Sequence, residues 1–277
     1  MAGFLYRLPR FRPETPGHTD GEVYVEQRSP AAYVAEFIGT FVLVVSITLV
    51  VVLFVNAQGT GSDWAVVGLV HFLVLFMLVQ TIGSISGAHV NPAVTISLAV
   101  LRKIRPNDAA VYILLQLAGA VAGALVMKFL LIDALAKQQN YGAPALNHSL
   151  LGSTFGGLIA EALGAFFLVW AVVAVAVNPR ATREWAGLVI GGTLGFAVMI
   201  FGPLTGGSLN PARWFGPALL NSTAVKADWW LYILGPIAGG VLAAVTYWYL
   251  FVEGPGLRAA QPEAGPKGLR QDVNPPR

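Results

Sequence analysis

The chain has 277 residues, of which 56% are hydrophobic and only 11% are charged. A soluble domain carries about 25% charged residues, so the composition excludes that class and places the chain in a membrane. The net charge of +3 is explained by membrane topology, which makes nucleic-acid binding an unnecessary hypothesis. The sequence contains no cysteine, which excludes a disulfide framework, a thiolate metal site and a thiol nucleophile.

Six apolar stretches reach the ~20 residues that a membrane-spanning helix needs. They cover approximately Ala31–Val55, Trp64–Ile85, Ala109–Ile132, Phe155–Val177, Trp185–Leu204 and Trp229–Val252. Because the number of spans is even, both termini are expected on the same face of the membrane. Thirteen of the 17 Lys and Arg residues fall in segments on that face. The positive-inside rule therefore predicts cytoplasmic tails, residues 1–30 and 253–277, around a membrane domain of residues 31–252.

The second half of the chain repeats the pattern of the first half. The sequence "AEFIGTF" opens the first span at Ala35, and "AEALGAF" opens the fourth span at Ala160. The first repeat is expected over residues 31–134 and the second over residues 155–252. Since each repeat holds three spans, the second enters the membrane from the opposite face, and the two repeats are inverted.

Each repeat carries an Asn-Pro-Ala sequence between its second and third spans, at Asn91-Pro92-Ala93 and at Asn210-Pro211-Ala212. Asparagine is a favourable N-cap and proline is favoured at the first helical position, so each motif predicts the start of a helix. The segment from Pro92 to Leu101 is about 15 Å long as a helix, half of a ~30 Å hydrocarbon layer. Two such half-helices meet at the midplane, amino end to amino end. Counting 25 residues from each asparagine aligns Gln116 with Gly235 in the following spans.

Non-helical backbone at membrane depth needs protein or water to satisfy its polar groups, which indicates a water-filled pore. If each asparagine carbonyl caps its own half-helix, its NH2 group is left free to donate into the lumen. The two positive helix ends would repel cations there, and the two amides would orient a passing water molecule by its oxygen.

This combination of motifs resembles the aquaporins of the major intrinsic protein family, over roughly residues 31–252. The resemblance rests on the two Asn-Pro-Ala motifs, on "SGAHVNPAVT" and "NPAR", and on one glutamate in each of the first and fourth spans. It implies an all-α membrane fold with six tilted helices and two re-entrant half-helices, a pore in every protomer, and a homotetramer. It also implies a passive water channel of the plasma membrane that excludes protons and ions, needs no cofactor and is not an enzyme.

Members of this family select solutes at a narrow ring on the extracellular side of the paired asparagines. Carried over by spacing from the two motifs, the ring in this chain consists of His71, Val198, Gly207 and Arg213. It is similar to the filters of some plant vacuolar-type aquaporins, which admit ammonia and sometimes urea beside water. Because Gly207 has no side chain and Val198 is small, the opening is expected to be wider than a strict water filter. A loop histidine used by such channels makes His148 a candidate extension of the filter.

A glutamate buried in a membrane helix is by default a candidate functional residue, a proton relay included. The resemblance instead implies that Glu36 and Glu161 accept hydrogen bonds from the re-entrant loops. His89, two residues before Asn91, is expected either to line the pore or to tie down its loop. An apolar pore wall is expected from residues two helical turns beyond each glutamate and from nearby positions. Its predicted members are Leu43, Leu75, Val94, Leu168 and Leu194.

Glycerol conduction is the nearest alternative function. Glycerol-conducting members resemble "NPARD" with a basic residue after the following Gly-Pro, whereas this chain has Trp214 and Ala218 there. Tyr232 retains an aromatic residue that water channels favour, and nothing in the sequence explains Trp214. Two further hypotheses are an ion channel or proton-coupled carrier built on the two glutamates, and a junction-type structural protein. The expected partners are water, small uncharged solutes, the lipid bilayer and further copies of the chain.

Overall fold

The computed structural model of the chain describes residues 28–55, 61–221 and 228–254. Most of the predicted tails, residues 1–30 and 253–277, therefore lie outside the described residues. In chain order the α-helices are α1 (Pro30–Phe54), α2 (Gly61–Ser86), α3 (Pro92–Val100), α4 (Pro106–Leu130), α5 (Asp133–Gln138), α6 (Thr154–Val172), α7 (Ala186–Thr205), α8 (Pro211–Ala218) and α9 (Trp229–Tyr247).

Six of these helices, α1, α2, α4, α6, α7 and α9, are long and apolar enough to cross a membrane. Short π-helical turns extend α6 to Val177 and α9 to Val252, and a 3-10 turn precedes α7. Together with the half-helices α3 and α8, they confirm the predicted fold class. The third span begins at Pro106 rather than at Ala109, because Pro106 takes the first helical position, where its missing N–H leaves no bond unmade.

The chain ends described here, Arg28 and Gly254, lie on one face of the bundle, which we call the terminal face; the other is the opposite face. Helix α3 runs from the middle of the bundle back toward the terminal face, because it follows α2, which ends there. Helix α8 follows α7 and runs toward the opposite face. The order of the helices thus matches the predicted inverted arrangement.

Helix α1 packs along α4, and α6 packs along α9, in the corresponding pairs of the two repeats. A side chain at Gly119 of α4 would collide with the backbone oxygen of Phe37, and one at Gly239 of α9 would collide with that of Ala162. Phe37 and Ala162 each follow a buried glutamate, so Gly119 is the counterpart of Gly239. Small residues at these crossings let the backbones approach closely.

This pairing corrects the alignment expected from the sequence by one residue. Gln116 lies three residues before Gly119, and its counterpart is therefore Pro236 rather than Gly235. The connection from the asparagine to the last span is one residue longer in the second repeat, a difference that equal counting from each motif does not detect.

Each half-helix packs against the last spanning helix of the other repeat: α3 contacts α9, and α8 contacts α4. A Cβ at Gly240 of α9 would lie 2.8 Å from the Ser97 hydroxyl of α3. A Cβ at Gly216 of α8 would collide with the backbone of Ala120 in α4. The repeats are therefore interlocked, and neither half-helix can leave the centre without disturbing both halves of the bundle.

Substituting Gly239 by alanine tests the close packing of α6 against α9. The added methyl group meets the Ala162 backbone, which cannot rotate away, so we expect destabilisation by about 1–3 kcal/mol. Gly192→Ala is the matched control, because a Cβ at Gly192 meets nothing within 4 Å. Thermal unfolding in detergent should show a lower midpoint for Gly239→Ala alone; equal midpoints for both variants would contradict the described packing.

Candidate pore and selectivity filter

The two asparagines cap the half-helices. The Asn91 side-chain oxygen accepts from the amide of Ala93 at 2.8 Å. The Asn210 oxygen accepts from Ala212 at 2.9 Å and from Arg213 at 3.3 Å. Both asparagines have extended backbone angles, and a proline follows each as the first helical residue. The motif therefore starts a helix in the middle of the bundle twice, as its chemistry predicts.

The side-chain NH2 groups of the same asparagines join the two repeats. Asn91 Nδ2 donates to the carbonyl of Leu209 at 2.9 Å, and Asn210 Nδ2 donates to the carbonyl of Val90 at 2.9 Å. The prediction that each NH2 group is left free to donate into the lumen was therefore wrong for one of its two hydrogens. Each buried carbonyl needs a donor, and the facing amide supplies it. One hydrogen on each NH2 group remains for the cavity.

The residues just before the asparagines have left-handed backbone angles in both repeats. Ala88 and Val90 have φ of 48° and 42°, and Gly207 and Leu209 have φ of 55° and 53°. A β-branched residue such as Val90 rarely adopts this conformation, which costs on the order of 1–3 kcal/mol. The re-entrant loops are therefore strained, and surrounding contacts must hold them.

The buried glutamates provide that support. Glu36 accepts from the backbone amides of His89 at 2.9 Å and Val90 at 2.7 Å. It also accepts from the Ser86 hydroxyl at 2.7 Å and from Gln116 Nε2 at 2.8 Å. These four bonds occupy the roughly four acceptor positions of a carboxylate.

Glu161 has the equivalent position in the second repeat. It accepts from the amides of Ser208 at 2.9 Å and Leu209 at 2.7 Å, and from the Thr205 hydroxyl at 2.6 Å. Both glutamates are fully buried. The predicted contacts between the glutamates and the re-entrant loops are thus present in the structure.

The sequence analysis missed the supporting role of four residues. The Tyr112 hydroxyl donates to the carbonyl of Ser86 at 2.9 Å, and the Tyr232 hydroxyl donates to that of Thr205 at 2.8 Å. Ser86 and Thr205 each stand five residues before an asparagine. That equal spacing of two hydroxyl residues is the signal that would have identified Ser86 and Thr205.

Two cavities meet at Arg213. The first, which we call the terminal cavity, has a volume of about 410 Å³ and opens at the terminal face. The second, the opposite cavity, has a volume of about 740 Å³ and opens at the opposite face. Arg213 lines both cavities, and His148 lines the opposite one. The terminal cavity is lined by both asparagines, by His71 and by all five predicted wall residues: Leu43, Leu75, Val94, Leu168 and Leu194.

Arg213 and His71 present polar atoms where the terminal cavity ends. Arg213 is 1% exposed; its Nη1 donates to the carbonyl of Gly142 at 2.7 Å, and its Nε has no hydrogen-bond partner among the described residues. His71 Nδ1 lies 2.8 Å from the carbonyl of Val67. A carbonyl only accepts, so Nδ1 carries the hydrogen and Nε2, also without a described partner, is an acceptor in the neutral ring. A donor on Arg213 and an acceptor on His71 are thus buried beside the cavity without a described partner.

The other two predicted filter residues lie beside each other in the wall. A Cβ at Gly207 would be 3.5 Å from the Cα of Val198 and 3.3 Å from the backbone of Gly202. Neither Val198 nor Gly207 belongs to the linings of the two cavities described above. The structure therefore brings His71 and Arg213 to the cavity surface and places Val198 and Gly207 beside each other.

His89 serves both of the roles considered for it. Its Nδ1 lies 3.2 Å from the Thr95 hydroxyl, and its ring packs edge-to-face with that of Tyr112, with the ring centroids 5.2 Å apart. It also lines the terminal cavity. In the described residues, no group of three or more His, Cys, Asp or Glu side chains that could hold a metal ion is found.

Trp214, which the sequence leaves unexplained, stacks on Tyr232. The ring centroids are 5.6 Å apart, and the planes differ by 10°. Because Tyr232 holds the carbonyl of Thr205, Trp214 supports the re-entrant loop of the second repeat from behind. In the first repeat the corresponding tyrosine, Tyr112, packs on His89 instead.

Comparisons with known proteins agree on one family. The family model for the major intrinsic proteins matches residues 25–247. Aquaporin AqpM of Methanothermobacter marburgensis is 34% identical over 240 residues, 79% of this chain and 97% of that protein. Glycerol uptake facilitator protein-like 6 of Lactiplantibacillus plantarum is 39% identical over 220 residues, 76% of this chain and 94% of that protein. The X-ray structure of the aquaglyceroporin from Plasmodium falciparum shares the fold, with a TM-score of 0.68, 24% identity and coverage of 83% and 99% of the two chains.

Replacing Glu161 by glutamine tests whether this carboxylate supports the loop or relays protons. Glutamine has one carbonyl oxygen, so at least one of the three described donors loses its acceptor, at a cost of about 1–3 kcal/mol. We expect a lower unfolding midpoint in detergent, with Glu184→Gln in an exposed turn as the unchanged control. A variant of wild-type stability that has lost a pH-dependent flux would instead support the proton relay.

Proposed function

The chain belongs to the major intrinsic protein family, whose members are channels and not enzymes, and we propose that it is a passive water channel that excludes protons and ions. The observation that carries this proposal is the junction at Asn91 and Asn210. Two half-helix amino ends and two amide groups meet there, and both asparagines line the terminal cavity. We further propose that small neutral solutes such as ammonia or urea pass beside water.

The terminal cavity suits the passage of water. Its five predicted wall residues are apolar, and polar side chains also line it, among them the amides of Asn91 and Asn210. Only one hydrogen of each amide is used in the hydrogen bonds between the repeats, so the two remaining hydrogens can be donated to a single water oxygen. An apolar wall with widely spaced donors binds water weakly, which favours rapid transfer.

Exclusion of cations follows from the positive ends of α3 and α8 and from Arg213. Each helix amino end is equivalent to about half a positive charge, and both ends face the junction. The Arg213 guanidinium adds a full charge where the two cavities meet. A water molecule held by both asparagines points its hydrogens away from the junction on either side, which interrupts a proton-conducting chain of waters.

The proposed filter consists of His71, Val198, Gly207 and Arg213, with His148 as an extension on the opposite face. Contact of His71 and Arg213 with the terminal cavity supports their part in it. The acceptor on His71 and the donors on Arg213 suit solutes that both donate and accept hydrogen bonds, as ammonia and urea do. His148 shares the opposite cavity with Arg213.

Glycerol conduction is retained as the second candidate, because the relative from Lactiplantibacillus plantarum is named as a glycerol uptake facilitator-like protein. The stacked pair of Trp214 and Tyr232 argues against it here. The pair fills the space behind the filter with two large rings and anchors Thr205, so the second re-entrant loop has little freedom to widen. A proton-coupled carrier is less favoured, since both glutamates are occupied by donors from the loops.

We propose a homotetramer in the plasma membrane with both tails in the cytoplasm. Basic residues support this orientation, because they concentrate on the terminal face of the described residues: Arg28, Arg102, Lys103, Arg105, Arg180 and Arg183. The channel domain is proposed to comprise residues 31–252, with repeats at residues 31–134 and 155–252.

A stopped-flow measurement on proteoliposomes tests the function and the filter together. Wild-type vesicles are expected to shrink rapidly under a sucrose gradient and to re-swell faster with urea than with glycerol. His71→Trp places a larger ring at the filter, so we expect urea flux to fall at least about tenfold and water flux to fall less. Leu73→Trp, on the exposed side of the same helix, is the control and should leave both fluxes unchanged.

Wild-type vesicles that shrink no faster than empty liposomes would refute the channel assignment. Faster entry of glycerol than of urea would favour the glycerol facilitator. Equal fluxes in His71→Trp and wild type would remove His71 from the filter.

A further inference from the structure

Three consecutive residues outside the membrane spans have left-handed backbone angles. Asn140, Tyr141 and Gly142 have φ of 50°, 54° and 73°. They form the short turn that follows α5, and two of the three are not glycine. Each non-glycine residue in this conformation costs on the order of 1–3 kcal/mol, and such strain persists only where its surroundings impose it. We call residues 140–142 the left-handed turn.

The left-handed turn supplies the described acceptor of the filter arginine. The carbonyl of Gly142 accepts from Arg213 Nη1 at 2.7 Å, across 71 positions of sequence. The turn presses against α1, because a Cβ at Gly142 would lie 2.9 Å from the Cα of Thr48. The position of this one carbonyl therefore helps to decide where the guanidinium of Arg213 lies between the two cavities.

A group of polar side chains on the opposite face holds the turn. The Tyr141 hydroxyl donates to Asp133 Oδ1 at 2.9 Å, and Asn221 Nδ2 donates to Asn140 Oδ1 at 2.7 Å. Lys128 lies 4.0 Å from the same Asp133 oxygen and 5.4 Å from the centre of the Tyr141 ring. We call these five residues the outer cluster. The bond to Asp133 raises the pKa of the Tyr141 hydroxyl, which therefore stays protonated and keeps donating.

We propose that the outer cluster positions Arg213 through the carbonyl of Gly142 and thereby sets the solute selectivity of the channel. Tyr141 and Asp133 are positioning residues in this account, since the described hydrogen bond of Arg213 is to the Gly142 carbonyl and not to either of their side chains. The inference rests on the proposed function, in which Arg213 belongs to the filter.

Loss of one hydrogen bond in the outer cluster can reach Arg213 through the backbone of the left-handed turn. Without the bond from Tyr141 to Asp133, the strained turn gains freedom to relax toward ordinary backbone angles. The Gly142 carbonyl then moves, and Arg213 Nη1 loses a fixed acceptor. The guanidinium keeps its charge but samples more positions, so cations stay excluded while the opening for neutral solutes widens.

Tyr141→Phe removes one hydroxyl and leaves the ring in place. We expect the ratio of urea to water permeability in proteoliposomes to rise about threefold, the effect of losing one partly exposed hydrogen bond. Asp133→Ala removes the acceptor of that hydroxyl and should raise the ratio similarly. The double variant should raise it no further than either single variant, because both changes break the same bond.

Tyr33→Phe is a matched control, because Tyr33 also donates its hydroxyl to an aspartate, Asp108 Oδ1, at 2.6 Å on the terminal face. It makes the same chemical change on the far side of the protein from the turn and should leave the ratio at its wild-type value. Thermal unfolding of each variant in detergent separates a change in selectivity from a loss of folded protein.

Wild-type ratios in both Tyr141→Phe and Asp133→Ala, with water flux retained, would overturn the proposal. An equal rise in Tyr33→Phe would overturn it as well, because the effect would then not be specific to the outer cluster. Failure of the proposed function itself has a different signature: wild-type vesicles would show no water flux above that of empty liposomes.

Discussion

The structure depends on two hydrogen bonds at its centre, from Asn91 to the carbonyl of Leu209 and from Asn210 to the carbonyl of Val90. They are reciprocal, since each repeat donates to the backbone of the other. They require two half-helices to meet inside the membrane, where an unsatisfied backbone group costs several kcal/mol. The contacts that place the carbonyls of Val90 and Leu209 beside the asparagine amides are therefore needed for these two hydrogen bonds to form.

That requirement explains features that are otherwise unrelated. The carbonyls face the asparagines because the preceding backbone is left-handed, and the glutamates in α1 and α6 hold the strained amides. Glycines in α1 and α6 leave room for the side chains of Val90 and Leu209. A Cβ at Gly39 would meet Val90, and one at Gly164 would meet Leu209. Each repeat thus contains the same set of parts, built around one difficult backbone conformation.

Side chains differ between the repeats where the backbone does not. The tyrosine that supports the first loop packs on His89, and the one that supports the second packs on Trp214. Arg213 occupies the first turn of α8, whereas the corresponding residue in α3 is Val94. The inverted backbone directs one half-helix toward each face, and these few differences give the two faces different side chains.

Much of this was predictable from local sequence. Spans follow from length and hydrophobicity, and the half-helices follow from Asn-Pro, because capping depends on adjacent residues. Contacts between distant segments were not predictable in this way. The hydrogen bonds of Asn91 and Asn210 join residues 118 and 120 positions apart in the sequence. The left-handed turn at residues 140–142 depends on partners such as Asp133, which belongs to no recognisable motif. The one-residue shift of Gln116 against the second repeat also emerges only from packing.

The most direct test of the central junction is an experimental structure at a resolution that shows ordered water. We predict one water oxygen within hydrogen-bond distance, about 3 Å, of both Asn91 Nδ2 and Asn210 Nδ2. The hydrogen bonds from the same amides to the carbonyls of Leu209 and Val90 should also be present. A dry junction, or amides that have rotated so that neither Nδ2 reaches the facing carbonyl, would contradict the account.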